Sequence, residues 1–158
     1  NTGQNGTHTR SVSSYLGGCP ATSRPASSQS CSIPFSFNLS TNSKNIEVVF
    51  IGSSNNKKQS SKADIKINSQ FSNHPDAGNA TFKVVSVAPG IPKNTVFKFE
   101  PNTITPGQFL VGSKFSVVIS RIDSGEYPIT IDVYAGGVVR EEIVTLNVKT
   151  VDPSFREF

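Results

Sequence analysis

Side chains that could perform catalysis are sparse in this chain of 158 residues. Only two histidines occur, His8 and His74, and no serine stands in a G-x-S-x-G context, so a Ser-His-acid set is not indicated. Glu141 and Glu142 are adjacent, and adjacent residues of a strand point to opposite faces, which separates them as a carboxylate pair. We therefore predict a protein that is not an enzyme, with no catalytic residues and no cofactor.

Metal ligands are equally few. Neither histidine has a cysteine or a second histidine at zinc spacing. Calcium requires several oxygen ligands that converge on one point. The two loops richest in such oxygens contain Asp123, Ser124 and Glu126, and Asn73, Asp76 and Asn79. Ordinary turn formation accounts for both loops, so no metal is predicted.

Cys19 and Cys31 are the two cysteines, and they bracket an eleven-residue loop rich in proline and serine. A pair this close in an exported chain is typical of a disulfide, which would stabilise the fold by roughly 2 to 3 kcal/mol through the unfolded state. In a reducing compartment the same residues would remain free thiols. We predict the disulfide.

Three N-x-(S/T) sequons begin at Asn5, Asn38 and Asn79. In a chain rich in asparagine and serine, some sequons arise by chance. Asn5 nevertheless lies in a polar tail, Asn38 on the outward side of a predicted strand, and Asn79 in a turn. All three could therefore face water and carry N-linked glycans.

The composition favours an exported protein. Charged residues make up only 16% of the chain, below the usual quarter, and there is no methionine, from which we expect a processed chain whose signal peptide is gone. No apolar run is long enough for a membrane span. The net charge is +4, but the basic residues are dispersed, so nucleic acid is not an expected partner. We predict an extracellular or cell-surface location.

The elements that would position any site are strands. Apolar and polar residues alternate from Lys114 to Lys149, which predicts three successive strands with one buried face each, paired as a meander. The predicted inward residues are Phe115, Val117, Ile119, Tyr127, Ile129, Ile131, Val133, Val144, Leu146 and Val148. A tight hairpin at Ala135-Gly136-Gly137 requires positive φ.

Five further strands are predicted upstream. The first has Ile33, Phe35, Phe37 and Leu39 inward, the second spans 45–51, the third has Ile65 and Ile67 inward, and the fifth alternates Phe97 and Phe99 with Lys98. The fourth strand begins at Ala80. Its inward side cannot be assigned, because the alternation is compatible with burial of either Phe82 and Val84 or Val85 and Val87. A long polar loop is expected over 52–61, and Pro106 and Gly107 predict a type II turn.

The portion from Thr81 to Lys149 resembles a known module. Phe99, Pro101, Ile104, Thr105, Pro106 and Gly107 match an F-x-P-x-x-(V/I)-T-P-G segment, and Gly125, Tyr127, Ile129 and Ile131 match a later G-x-Y-x-(V/I)-x-V strand. These motifs are similar to those of immunoglobulin-like (Ig-like) β-sandwich repeats in archaeal and bacterial cell-surface and secreted proteins. The chain departs from a plain repeat in a 45–61 insertion and in its Cys-bearing extension.

The expected architecture is an all-β, Ig-like antiparallel sandwich of seven to eight strands over residues 33–150, with a jelly roll as the alternative. Residues 1–32 form an extended N-terminal arm that contains the Cys19–Cys31 loop, and residues 151–158 form a C-terminal tail. The arm contains few large apolar side chains, so we expect it to become ordered only when the domain or a neighbouring molecule holds it.

The resemblance implies a structural role. In surface filaments built from such sandwiches, an N-terminal segment of one subunit commonly adds a strand to the next, an arrangement known as donor-strand complementation. We predict that identical subunits polymerise in this way into a filament or pilus. The interface arm runs from Thr7 to Leu16, with Val12 and Leu16 filling pockets and Tyr15 beside them.

A monomeric cell-surface adhesin or carbohydrate-binding module is the alternative function. It requires an exposed aromatic platform. The candidate rings for such a platform are Tyr15, Tyr134 and Phe155.

Overall fold

The computed structural model describes residues 33–69 and 74–153. The chain divides into two compact units, Asn1–Pro34 and Phe35–Phe158, and the fold described below is that of the second. The predicted disulfide, the interface arm from Thr7 to Leu16 and the sequon at Asn5 lie outside the described residues, as does the tail beyond residue 153.

Within the described ranges the chain forms ten β-strands and one short 3-10 helix. The strands are β1 (Asn38–Thr41), β2 (Asn45–Ile51), β3 (Lys58–Gln59), β4 (Ala63–Asn68), β5 (Ala80–Val87), β6 (Val96–Glu100), β7 (Thr103–Ile104), β8 (Ser113–Ile119), β9 (Gly125–Ala135) and β10 (Val138–Val151). The 3-10 helix spans Pro106–Gln108. Eight of the strands have four or more residues, which agrees with the predicted number.

The strands form two sheets that enclose one core. The first contains β1, β4, β8 and β6 in that order, with β3 also paired to β8, and the second has the order β2-β10-β9-β5-β7. Most of the predicted inward side chains are buried, including Phe37, Ile65, Phe115, Ile131 and Leu146. The protein is therefore an all-β, two-sheet sandwich, as the alternation predicted.

Ile33 is a correction to the predicted first strand. Its side chain is 42% exposed, and the paired strand begins only at Asn38. Phe35 and Phe37 are nevertheless buried, and their rings pack on each other at 5.8 Å. Phe35 and Phe37 thus contribute to the core although they lie before the first described strand, because burial of a ring does not require a hydrogen-bonded ladder.

The predicted meander of the last three strands is wrong. β9 and β10 form a hairpin in the second sheet, but β8 belongs to the first sheet, where it lies between β4 and β6. Residues 120–124 therefore cross from one sheet to the other. Alternation could not reveal this crossing, because both sheets bury one face against the same core.

One strand pair is parallel, whereas the prediction was antiparallel throughout. β2 pairs in parallel with β10, with Asn45 opposite Thr145 and Ile51 opposite Val151. The predicted insertion over residues 45–61 is consequently part of the framework, since it supplies β2 and β3. Residues 42–44 cross from β1 in the first sheet to β2 in the second, where β2 runs in the same direction as β10.

The loop predicted over residues 52–61 contains β3, which together with β4 forms one bulged strand along β8. Gln59 is opposite Val118 and Ala63 is opposite Phe115, so β3 and β4 follow the same edge of β8 with one extra residue between them. At this bulge the buried Ser60 donates its N–H to the Val117 carbonyl, and its Oγ accepts the Val117 N–H. The serine replaces the ladder bonds that the bulge removes.

Two turns were predicted, with different outcomes. Gly136 and Gly137 have φ of 54° and 75° and join β9 to β10, which confirms the tight hairpin. Pro106 and Gly107 lie in a 3-10 turn in which the Gln108 N–H donates to the Thr105 carbonyl. Gly107 lacks the positive φ that a type II turn requires, so that prediction is wrong.

Candidate functional site

Sheet edges are the surfaces on which a strand-adding protein would bind its partner. At one side of the sandwich the edge of β2 is already satisfied. The Glu47 N–H donates to the Ser61 Oγ, and the Ser61 N–H donates to the Glu47 carbonyl, both at 2.8 Å. Lys58 Nζ donates to the Val49 carbonyl at 3.1 Å. These contacts leave little of the β2 backbone free for another chain.

The segment that leads into β1 is covered as well. Arg140 Nε donates to the Phe37 carbonyl at 2.9 Å, and the guanidinium lies over the Phe37 ring at 5.8 Å. Ser69 Oγ donates to the Ser36 carbonyl at 3.0 Å. Side chains thus occupy acceptors that an incoming strand would use on this side.

The opposite side of the sandwich is open. β5 pairs with β9, but its outer edge meets β7 only at Ala80 and Thr81. β6 pairs with β8 and, among the described residues, with no other strand. The stacked rings of Phe82 and Phe99, 5.7 Å apart, hold β5 and β6 next to each other across the two sheets. We call the free edges of Lys83–Val87 and Val96–Glu100 the open side.

Apolar side chains cover the open side. Val85, Val87 and Val96 are 44%, 39% and 45% exposed, and Phe97 and Phe99 are half-buried. Behind them both rings contact Phe115, at 6.4 Å and 5.0 Å between centroids. An edge with exposed valines and part-covered phenylalanines is a surface on which a further strand would bury apolar area.

Charges flank these apolar residues. Lys83 and Lys98 are exposed on the two strands. Glu100 Oε2 accepts from Lys62 Nζ at 2.7 Å, and this hydrogen bond is the main reason that the pKa of Glu100 lies below its usual value. Lysines on an edge strand oppose indiscriminate pairing between sheets, so the open side favours a particular partner over general aggregation.

The open side was missed by the sequence analysis, although one signal pointed to it. The inward parity of β5 could not be assigned, and the structure shows the reason. Phe82 is buried and Val84 is half-buried, but a bulge between Val84 and Ser86 then shifts the register. Conflicting parity within one strand is what a bulged edge strand produces.

The two described sequons have accessible asparagines. Asn38 lies on β1 and Asn79 precedes β5, and both residues are exposed. Glycosylation at Asn38 and Asn79 remains a prediction.

Of the rings proposed for an aromatic platform, Tyr134 is the one that the structure describes. It is 37% exposed, and its hydroxyl donates to Asp132 Oδ2 at 3.1 Å. The pKa of Tyr134 is raised, first by this hydrogen bond and then by burial and by the charge of Asp132. With Tyr15 and Phe155 outside the described residues, a platform of several rings stays a prediction.

The loops with calcium-type ligands have other partners. The Asp123 carbonyl accepts the Tyr127 hydroxyl, and Ser124 Oγ accepts the Thr150 N–H. In the second loop, His74 Nδ1 accepts the Asp76 N–H, and Asn73 lies outside the described residues. No cluster of three or more His, Cys, Asp or Glu side chains that could hold a metal occurs in the described part of the chain.

Tyr127 supplies the contact that decides the fold class. It stands near the start of β9, and its hydroxyl donates to the carbonyl of Asp123, four residues upstream, at 2.9 Å. This is the tyrosine corner of immunoglobulin domains. The fold is immunoglobulin-like.

In this Ig-like domain seven of the described strands follow the strand order of immunoglobulin-like sandwiches. β1, β4, β6 and β8 correspond to strands A, B, D and E of one sheet, and β5, β9 and β10 correspond to C, F and G of the other. β2 is an additional strand beside G. The jelly-roll alternative is thereby excluded.

Comparison of the structure with solved structures returned Ig-like and related domains at low similarity. A complex of titin M10 with an obscurin-like 1 Ig domain has 11% identity over 75% of this chain and 97% of that chain, with a TM-score of 0.37. Domains 4 and 5 of the S-layer protein SbsC have 17% identity over 73% of this chain and 53% of that chain, with a TM-score of 0.36.

A third solved structure is the PKD domain of human KIAA0319, with 14% identity over 73% of this chain and 91% of that chain, and a TM-score of 0.29. No protein-family model and no curated protein sequence matches the chain. Among the described residues, the structure contains no helix with the length and apolar character needed to cross a membrane.

Proposed function

We propose that this protein is a non-enzymatic, extracellular structural subunit that polymerises by strand addition. Residues 7–16 of one subunit pair with the open side of the next. The supporting observation is the asymmetry of the sandwich, in which β2 and the entry to β1 are covered by Ser61, Lys58 and Arg140. The apolar edges of Lys83–Val87 and Val96–Glu100, by contrast, pair with no further strand in the described part of the chain. The low charge and the exposed sequons at Asn38 and Asn79 support the extracellular location.

The added strand extends a sheet that already has a full core. β10 is fourteen residues long and lies between β2 and β9 in the second sheet, and the core side chains of both sheets are buried. The arm therefore contributes backbone hydrogen bonds along an edge and a cover for part-exposed rings. It has no missing core strand to replace.

β6 is the better acceptor of the two edges. Its pairing with β8 is regular over five residues, whereas β5 contains a register shift. Phe97 and Phe99 are half-buried on the inner side of β6. Val12 and Leu16 share one parity of the arm, so in an added strand both would lie on the same face as those rings.

Polymerisation propagates because the contact is heterologous. The arm and the edge are different surfaces, so each subunit offers one and accepts one, and the chain of contacts does not close on itself. A filament follows from repetition of this contact, and identical subunits are the partners.

Negative-stain electron microscopy and sedimentation of the native protein test the proposal. Deletion of residues 1–18 is expected to abolish filaments. Val96→Asp should shift most of the material to monomer, because a charge at the β6 edge must be desolvated when a strand docks. Val111→Asp is the matched control, since Val111 is 74% exposed but lies in the loop before β8, outside the strands.

The same measurement can contradict the proposal in two ways. Filaments that persist without residues 1–18 would exclude the arm as the polymerising element. Equal loss of filaments with Val96→Asp and Val111→Asp would show that the open side has no special part in assembly. Val85→Asp separates the two edges, because its effect should be smaller than that of Val96→Asp if β6 is the acceptor.

A further inference from the structure

The outward side of the second sheet carries exposed apolar side chains. Tyr134, Val139 and Ile143 are 37%, 44% and 48% exposed. Tyr134 on β9 is opposite Val139 on β10, and Ile143 is opposite Thr130. The outward side of an antiparallel sheet is normally polar where it faces water. This surface, which we call the outer face, comprises the outward residues Lys83, Thr130, Asp132, Tyr134, Val139, Glu141 and Ile143.

A row of three charges crosses the outer face. Lys83 on β5 is opposite Asp132 on β9, which is opposite Glu141 on β10. Asp132 Oδ2 accepts the Tyr134 hydroxyl at 3.1 Å. Neither Lys83 nor Glu141 makes an ion pair with any residue that the structure describes. The two ends of the row therefore carry opposite charges that are both available to a partner.

The outward side of the first sheet is different. Its carboxylates are already paired within the chain, Asp64 with Lys114 at 2.9 Å and Glu100 with Lys62 at 2.7 Å. Charges that their own chain neutralises suit a surface that faces water. The outer face is thus the side of the sandwich on which a second molecule would complete the ion pairing.

The order of charges in the row makes the outer face complementary to itself. A two-fold axis parallel to β9 places β5 of one copy over β10 of the other, so Lys83 of each copy meets Glu141 of the second copy. Tyr134 then lies near the axis, and the apolar side chains of β10 are covered by the facing sheet. Each Asp132 keeps the hydrogen bond from Tyr134 and has Lys83 beside it, which offsets its approach to the second Asp132.

We propose that the outer face binds the outer face of a second copy of this chain in an isologous dimer. Three strands about 4.8 Å apart, along the eleven residues of β9, present roughly 500 Å². This area is smaller than the roughly 800 Å² that each partner buries in a standard interface, so the dimer should be reversible. The contact leaves the β6 edge free and does not rest on the proposed polymerisation.

Crosslinking of the full-length protein with a zero-length carbodiimide tests the assignment. Unlabelled chains and chains labelled with heavy nitrogen are mixed in equal amounts, and the products are identified by mass spectrometry. We expect an amide crosslink between Lys83 and Glu141 that joins a light chain to a heavy chain. Crosslinking does not require a monodisperse sample, so it decides the question whether or not the protein forms filaments.

Exchange of the two charges is a stricter test. Lys83→Glu or Glu141→Lys alone turns both ion pairs into like-charge contacts and should weaken dimerisation about tenfold. An equal mixture of the two variants restores both pairs and should dimerise like the native chain. Sedimentation velocity measures this, with Val96→Asp in every chain if the native protein forms filaments. Lys66→Glu, on the outward side of the first sheet, is the matched control and should have no effect.

Three results would overturn the assignment. The crosslink is absent or joins only residues of the same isotope, which marks a link within one chain. The mixture of Lys83→Glu and Glu141→Lys dimerises no better than either variant alone. Lys66→Glu weakens the dimer as much as Lys83→Glu does. Loss of filaments with a retained crosslink, or the reverse, separates failure of the proposed polymerisation from failure of the dimer.

Discussion

Tyr134 shows how a single side chain reports on its surroundings. Its phenol donates to Asp132 on the same strand, and this contact raises its pKa above the ordinary value of 10.0. The protonated form is favoured in the folded protein, so its contribution to stability is complete below the unfolded pKa. That contribution is lost as the pH rises through the higher folded pKa.

We predict that Tyr134 titrates above the ordinary tyrosine value of 10.0. Ultraviolet absorbance of the phenolate measures this directly, because the chain contains no tryptophan. The difference between the titration curves of the native chain and Tyr134→Phe should have its midpoint above that value, and Asp132→Ala should move the midpoint toward it. A difference curve with its midpoint at or below the ordinary value would contradict the raised pKa.

At the scale of the element, the β9–β10 hairpin shows why two neighbouring glycines are not equivalent. Both have positive φ. A Cβ on Gly136 would overlap the Asp76 carbonyl oxygen and the ring of Phe35, whereas a Cβ on Gly137 would meet open space. The turn therefore requires Gly136 for packing and for conformation, and Gly137 for conformation alone.

We expect Gly136→Ala to lower the free energy of unfolding by about 3 to 4 kcal/mol, the sum of a strained φ and an overpacked contact. Gly137→Ala should cost only about 1 to 2 kcal/mol, for the strained φ. Chemical denaturation of the two variants measures the difference. Equal losses would mean that the contact with Asp76 and Phe35 relaxes without cost.

At the scale of the whole molecule, the sandwich closes its own core, so the arm should be needed for assembly and not for folding. We predict that deletion of residues 1–32 leaves a folded domain that unfolds cooperatively and forms no filaments, because the part of the chain that the structure describes already supplies a core of buried residues from Phe35 to Val148. Thermal unfolding with sedimentation tests this. A truncated chain that fails to fold would make the N-terminal unit part of the domain.

The fold was largely predictable from alternation within strands, and the candidate site was not. Period-two patterns identified the inward residues of β4, β8, β9 and β10, since burial on one face constrains every second residue. The open side depends on which strands end each sheet. No local pattern in Val96–Glu100 distinguishes an edge strand from an interior strand. The ambiguous parity of β5 was the one feature of the sequence that indicated the open side.

The sequence by itself determined the all-β class, the facing of the strands, the glycine hairpin and the scarcity of catalytic groups, because each of these follows from the type and spacing of nearby residues. Tertiary structure alone decided the crossing after β8, the parallel pairing of β2 with β10, and the covered and open edges. These features depend on contacts between residues far apart in the chain, which local patterns do not encode.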